Sequence, residues 1–384
     1  MIKFIDSLKK EELKGKKVLM RTDINVPVEN GEIKETFRIK AQKETLDYLV
    51  DNGAKILLVA HLNAGDSFLP ITEQIGEILR HPLTLVPHSE LEVVAELFSE
   101  YSVLLLDNIR QDPREEKNDK EFALRLSKGF DFYVNNDFAV CHRNHASVSA
   151  ITEYLPSYAG FQIRKETENL SKALGAPMAG KVLVLGGAKI STKLPVIKNF
   201  LDKAENILVG GALVNNFFKA QGINVGASLV DDSVFANTTL PDNAMLSGNV
   251  VLAEDILISK NKIAETEAEV SQVKDLDSQH LIVDIGPETA KHFAEIIKKS
   301  SLTIWSGPMG ISEVKKFSEG TKVVAEAVVK ASHSIIGGGD TIAAVDKLGL
   351  LDKFSYVSTG GGAMLVFLAE EKLPGLEALN YYAP

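Results

Sequence analysis

The sequence predicts an α/β protein of two domains, each built on a parallel sheet. Three observations carry that expectation. Short apolar runs alternate with segments of helical spacing along the chain. In the second half those runs end in glycine repeatedly. The 384 residues, 45% of them hydrophobic, exceed what one ordinary core absorbs.

The elements follow in order. Val18-Leu19-Met20 is a buried run that leads into Arg21-Thr22-Asp23. Residues 38–51 have helical spacing (Ile39, Leu46, Leu49, Val50), and Asn52-Gly53 supplies a C-terminal cap. Residues 55–60, 103–106 and 130–134 read as further strands. Residues 166–181 join the domains, with a helix over about 165–174 and a break at Gly175-Ala176-Pro177. The domains are therefore expected at 1–165 and 175–363.

In the second half Val182-Leu183-Val184-Leu185 ends in Gly186-Gly187, and Ile207-Leu208-Val209 ends in Gly210-Gly211. The run 281–285 ends in Gly286-Pro287, and 302–305 ends in Ser306-Gly307-Pro308. Ile335-Ile336 ends in Gly337, and Tyr356-Val357 leads through Ser358-Thr359 into Gly360-Gly361-Gly362. Ligands of open α/β sheets bind beyond the carboxyl ends of the strands. Six such ends carrying glycine predict one large, backbone-lined site. Residues 231–279 are polar and show no pattern beyond the strand-like Val250-Val251-Leu252.

One stretch concentrates the signal: Ser334-Ile335-Ile336-Gly337-Gly338-Gly339-Asp340-Thr341, followed by helix-like Ile342-Ala343-Ala344-Val345. It reads as strand, tight turn and helix N-terminus. Glycines there let backbone N–H groups close on an anion, and the helix end adds partial positive charge. Asp340 is placed either to hold a magnesium ion that meets a phosphate or simply to cap the helix.

Charge and cysteine content exclude several classes. Lys plus Arg is 42 and Asp plus Glu is 52, a net charge of −10, which argues against a nucleic-acid partner. The single cysteine, Cys141, rules out a disulfide framework within the chain and fits a reducing compartment. No apolar run approaches the length of a membrane span, and the N-terminus has no signal-peptide core, so a cytoplasmic protein is expected.

The first half carries Arg21, Asp23, Asn25, His61, Arg110 and Arg143 near the ends of apolar runs, with Arg38 starting a helix. Arginines at several strand ends can converge on a phosphate or carboxylate through bidentate forks. Taken singly, each reads as a surface ion pair. No histidine spacing resembles a zinc site, and Cys141 reads as inert packing. The second half carries the glycines with Lys189 and Lys193, but neither G-x-x-x-x-G-K-[ST] nor G-x-G-x-x-G after a strand. One half for a small anion and one for a phosphate-rich ligand predict group transfer.

Arg21-Thr22-Asp23-Ile24-Asn25-Val26-Pro27 resembles the opening signature of phosphoglycerate kinases. The resemblance continues through Leu106-Asp107-Asn108-Ile109-Arg110, His142-Arg143-Asn144-His145-Ala146-Ser147 and Gly186-Gly187-Ala188-Lys189-Ile190-Ser191-Thr192-Lys193. It ends with Trp305-Ser306-Gly307-Pro308-Met309-Gly310, Gly337-Gly338-Gly339-Asp340-Thr341 and Ser358-Thr359-Gly360-Gly361-Gly362-Ala363, in the family's order and over nearly the whole chain.

The resemblance implies two doubly wound parallel-sheet domains joined by a hinge, in a monomer whose C-terminal tail, about 364–384, packs back on the first domain. It implies phosphoryl transfer between 1,3-bisphosphoglycerate and ADP, giving 3-phosphoglycerate and ATP with Mg2+. Asp23, Asn25, Arg38, His61, Arg110 and Arg143 would bind the phosphoglycerate. Lys193, Gly210, Gly211, Pro308, Glu313, Gly337, Gly338, Gly339, Asp340, Thr341, Gly361 and Gly362 would bind the nucleotide, Glu313 through the ribose and Asp340 through the metal. Arg38, Lys189 and Lys193 would be catalytic, with Arg38 and Lys189 bracketing the transferring group.

Three departures stand out. After His61-Leu62 the family has Gly-Arg-Pro; this chain has Asn63-Ala64-Gly65 and a short loop, so one phosphate-binding arginine is missing. Ser306 replaces an asparagine, and Gln111 stands where an aromatic is usual. These departures leave open a second reading, a relative that binds nucleotide without catalysis or with altered specificity. Arg164 is a conceivable substitute cation; otherwise it reads as an exposed charge on the linker helix.

Overall fold

The computed structural model describes residues 1–231, 248–262 and 268–383. Much of the unpatterned 231–279 stretch therefore lies outside the described residues. The chain divides into two compact units, Met1–Glu168 with Lys372–Pro384, and Asn169–Glu371. The division falls inside the helix Phe161–Gly175, which is longer at its start than the sequence predicts.

The first unit is built on six parallel strands. Their spatial order is Thr84–Val86, Val103–Leu106, Lys55–Val59, Lys17–Arg21, Phe132–Asn135, Ser157–Ala159. Successive side chains on a strand point to opposite faces, so the core splits in two. Val18, Met20, Ile56 and Leu58 pack on one side with Ile39, Leu46 and Leu49. Leu19, Leu57, Val59 and Tyr133 pack on the other with Phe122 and Leu126. Both faces are covered, which is why these strands read as unbroken apolar runs rather than alternating ones.

The helix Phe37–Asp51 ends as its cap residues dictate. Gly53 adopts φ +79°, its N–H donates to Val50 O, and Ala54 N donates to Leu49 O at 3.0 Å. This paired closure satisfies the last carbonyls, and glycine takes the left-handed position at no steric cost.

The second unit has six parallel strands in the order Val250–Leu252, Asn206–Val209, Lys181–Leu185, Leu302–Ser306, Ser334–Gly337, Tyr356–Ser358. Numbered along the chain this is 3-2-1-4-5-6, the order of doubly wound nucleotide folds. Its direction reverses between Lys181–Leu185 and Leu302–Ser306, where a ligand crevice is expected.

One strand departs from expectation. Leu281–Ile285 is not in the parallel sheet; it pairs antiparallel with Asp255–Ser259 in a separate three-stranded sheet. The sixth parallel strand is instead Val250–Leu252, which carries no terminal glycine. A five-residue apolar run looks the same in either setting. Only two residues separate Leu252 from Asp255, too few for a parallel crossover.

The helix Gly362–Leu368 belongs to the second unit, where Asn199 Nδ2 donates to Leu368 O at 2.7 Å. The segment that joins the first unit begins at Lys372. There Gly375 N donates to Cys141 O at 2.9 Å, so close that a Cβ on Gly375 would meet the Cys141 backbone at 2.9 Å. Cys141 is fully buried.

Candidate active site

The carboxyl ends of the first sheet gather polar residues around Arg21. That side chain is 1% exposed. Its Nη1 donates to Asp137 Oδ2 at 2.7 Å, Thr22 O at 2.8 Å and Val59 O at 3.3 Å. Its Nε donates to Ser147 Oγ at 3.1 Å, and its Nη2 lies 3.0 Å from His61 Nδ1. Sequence reading groups Arg21 with ligand-facing arginines; the structure makes it a buried hub whose donors are spent within the protein. Asp137, its partner, escapes sequence reading. The clue is its place directly after the strand Phe132–Asn135, where a buried Asn136-Asp137 pair meets the crevice edge.

Around this hub lie most of the candidate anion-binding residues. Arg38 Nη1 donates to Asn25 O at 3.0 Å, and Asn25 N donates to Asp23 Oδ1 at 3.3 Å. Asn25 Nδ2 lies 3.5 Å from His61 Nε2. Asp23 Oδ2 is buried with no partner. Arg110 Nη1 donates weakly to Leu62 O at 3.4 Å, while its buried Nε and Nη2 have no hydrogen-bond partner, although Nε lies 3.2 Å from Glu116 Oε1. A buried polar atom without a partner costs stability, and a ligand that meets it recovers that cost. Arg143 is not hydrogen-bonded into this cluster among the described residues; its Nε contacts His142 Nε2 at 3.5 Å.

Burial and positive neighbours set the charges. Burial, helped by the Asp137 carboxylate, raises the Asp23 carboxyl to about 7. Burial raises Asp137 as well, opposed by Arg21, which holds it at 2.7 Å. Burial and then Arg21, Arg110, His145 and Arg38 push His61 down to about 2. Burial and then Arg110, Arg21 and His142 push His145 down to about 4.

The loop after His61 is staked by the segment after Val103–Leu106. Asn108 Nδ2 donates to Asn63 O at 2.7 Å and Asp66 O at 3.0 Å. Asp107 accepts from Phe68 N at 2.8 Å and Ser67 Oγ at 2.9 Å. Ala64 sits exposed on the turn. Arg164 is not a substitute for the missing arginine. It forms a bidentate pair with Asp6 at 2.6 and 2.9 Å and stacks over the Phe4 ring at 4.3 Å.

In the second unit the glycine ends interlock backbone to backbone at the reversal point. Gly187 N donates to Pro308 O at 2.8 Å and Gly211 N to Met309 O at 3.0 Å. A Cβ on Gly211 would meet Gly187 N at 2.5 Å and Pro308 O at 2.7 Å, so only glycine fits, and its φ is +58°. Beside them opens a cavity of about 280 Å³ lined by Gly187, Gly211, Pro308, Glu313, Asp340 and the strand Leu281–Ile285.

The remaining glycines divide by role. Gly338 caps the helix Gly339–Lys347 with φ +100°. Gly210 and Gly337 serve packing, because a Cβ would strike Met309 Sδ at 2.7 Å and Met364 Sδ at 2.5 Å respectively. Thr341 is fully buried and accepts from Gly307 N at 2.7 Å, so its hydroxyl shapes the Gly307-Pro308 turn. Gly361 and Gly362 open the helix Gly362–Leu368 and do not line the cavity.

Lys189, Lys193 and Asp340 share one field. Lys189 is the exposed residue preceding the helix Ile190–Phe200. Lys193 is 7% exposed; burial lowers it to about 8, with Asp340 opposing and Lys189 adding to the shift. Asp340 is exposed in the first turn of its helix and makes no capping hydrogen bond; the cap position is Gly338. A free hard oxygen at a phosphate-sized backbone turn suits a magnesium ion, which takes few protein ligands and completes its shell with water and phosphate. Among the described residues no cluster of three metal-ligating side chains exists.

Comparisons with known proteins agree over the whole length. The phosphoglycerate kinase family model matches residues 8–371. The chain is similar to the phosphoglycerate kinases of Dictyoglomus turgidum (39% identical over 391 residues, 98% of this chain and 99% of that one) and Thermosipho africanus (42% over 385 residues, 96% of each). Its fold is similar to the solved phosphoglycerate kinase of Coxiella burnetii, with TM-score 0.82, 32% identity and 100% of both chains covered. The Pyrococcus horikoshii enzyme gives TM-score 0.85 at 29% identity, covering 99% of this chain and 98% of that one. Family model, relatives and folds converge: the chain belongs to the phosphoglycerate kinase family.

Proposed function

We propose that the protein transfers a phosphoryl group reversibly between 1,3-bisphosphoglycerate and ADP, giving 3-phosphoglycerate and ATP. The observation that carries this reading is one chain of this family holding two complementary half-sites. One is an arginine-rich cluster with an unpartnered Nη2 on Arg110; the other is a glycine-lined cavity beside Lys193 and Asp340.

In the first unit Arg38, Arg110 and Arg143 would answer the negative charge of phosphoglycerate. His61 and Asn25 would orient it, and the unpartnered Asp23 Oδ2 would meet its hydroxyl. In the second unit Glu313 would hold the ribose, while Lys193 and the backbone N–H groups at Gly338 and Gly339 would hold phosphate. Asp340 would hold magnesium, which when bound neutralises charge on the nucleotide phosphates. The transition state spreads charge over three oxygens and needs positioning and positive charge rather than a strong base. Arg38 and Lys189 supply that charge. The same reading makes the protein a monomeric cytoplasmic enzyme; no helix among the described residues is long and apolar enough to cross a membrane.

The test is a coupled assay of ATP consumption with 3-phosphoglycerate on the purified protein. Turnover that needs both substrates and magnesium is expected. Nucleotide binding without turnover would turn the reading to a non-catalytic relative.

A further inference from the structure

The contact between Arg21 and His61 carries more than packing. Arg21 Nη2 lies 3.0 Å from His61 Nδ1. A guanidinium has five donors and no acceptor, and it stays protonated. Nδ1 must therefore present a lone pair, and the ring proton of neutral His61 must sit on Nε2. An imidazolium is barred, because it would set N–H against N–H at that distance. Arg21 cannot turn away, since Nη1 and Nε are held by Asp137, Thr22, Val59 and Ser147.

We infer that Arg21 is a positioning residue that fixes His61 as the Nε2–H tautomer, so that His61 meets the anionic substrate as an uncharged hydrogen-bond donor. The inference rests on the reading of this cluster as the phosphoglycerate site. The Nε2–H is available for that task, because among the described residues its one hydrogen-bonding neighbour is the Asn25 amide at 3.5 Å, the outer limit of such a contact. The structure sets Asn25 Nδ2 nearest the ring, so a protonated Nε2 requires that amide to turn and present Oδ1 instead.

The surroundings agree. Burial and then Arg21, Arg110, His145 and Arg38 all disfavour a second proton on His61. The nearby carboxylates are otherwise engaged: Asp137 is bound to Arg21, Glu115 accepts from Ser147 N and Oγ, and Asp23 Oδ1 accepts from Asn25 N. Substrate charge is thus answered by the arginines, while His61 contributes direction. A second-residue contact of this kind sets which nitrogen of a histidine does the work.

The experiment uses the full-length protein labelled with 15N-histidine. Long-range 15N–1H correlation spectra are recorded from about pH 5 to about pH 8.5, spanning the ordinary histidine range. The His61 signals are assigned by their loss in His61→Gln. The expected result is a bare Nδ1 and a protonated Nε2 at every pH. A protonated Nδ1, or a His61 that titrates in this range, overturns the inference with the site reading intact. Calorimetry with 3-phosphoglycerate on the same sample tests that reading; no binding overturns it and the donor role with it. Arg21→Met supplies the second arm. In its spectra the Nδ1–H form of His61 should appear, alone or mixed with the Nε2–H form, because nothing then demands a lone pair at Nδ1. An Nδ1 that stays bare in this variant would mark Arg21 as merely structural. Should this variant not fold, the spectra of the unmodified protein still decide.

Discussion

Gln111 Nε2 donates to the main-chain carbonyl of Asp66 at 3.1 Å. It also donates to Asp107 Oδ2 at 3.0 Å. Two departures from the family, the short loop after His61 and the loss of an aromatic at 111, are thus one structural unit. The amide ties down the loop on which Ala64 sits.

Restoring an arginine there has a defined expectation. A charge-assisted hydrogen bond to phosphate contributes roughly 1.5–3 kcal/mol, which is about ten- to hundredfold in affinity. Ala64→Arg should lower KM for 3-phosphoglycerate by up to that factor and leave KM for ATP unchanged, measured by steady-state kinetics. Arg164→Ala should leave both constants unchanged, because Arg164 is committed to Asp6 and Phe4. A rise in substrate KM with Arg164→Ala would refute that assignment.

Asp340→Ala should weaken magnesium-ADP binding while leaving thermal stability within about 0.5 kcal/mol of the parent. The residue is exposed and makes no capping hydrogen bond, so the fold does not depend on it. Calorimetry of magnesium-ADP against both proteins checks this. Equal affinity would remove Asp340 from the metal site.

Arg38→Ala and Lys189→Ala should each lower kcat at least about a hundredfold, the usual loss on removing one partner of transition-state charge. Rapid-quench measurement of the chemical step isolates the effect from product release. An unchanged rate in either variant would strike that residue from the mechanism.

Asp284 gives a pH-dependent expectation. Burial raises its carboxyl to about 8, while it accepts from Ile285 N at 2.9 Å and Gly320 N at 2.8 Å. Between about pH 4 and about pH 8 the folded protein holds a proton that the unfolded chain has released, so this group's contribution to stability falls as pH rises. The slope is at most about 1.4 kcal/mol per pH unit. In Asp284→Asn that component should vanish, and denaturant titrations at several pH values should show a flatter profile than the parent. An identical slope would mean Asp284 is ionised in the folded state.

The parallel strands were legible because burial on both faces leaves an apolar run, and the helix Phe37–Asp51 because its stripe and its Asn52-Gly53 ending are local. Leu281–Ile285 was misjudged because strand direction depends on a distant partner, which apolarity does not encode. The anion cluster could be guessed from residue types at strand ends. What each residue spends its hydrogen bonds on could not, since Arg21 is engaged with Ser147 and Asp137, more than a hundred residues away. The glycines show the same limit. Gly211 serves close backbone approach and Gly337 makes room for a methionine, yet both are written with the same letter.

Cys141 turns the C-terminal segment into something that can be timed. The thiol is fully buried beneath Gly375, and burial raises it well above the ordinary cysteine value. A thiol reagent can react only once this part of the first unit opens, by lifting of that segment or by wider unfolding. With one cysteine in the chain, the labelling rate counts openings at this place alone. A variant that loosens the terminus should therefore be labelled faster with no other position contributing to the signal.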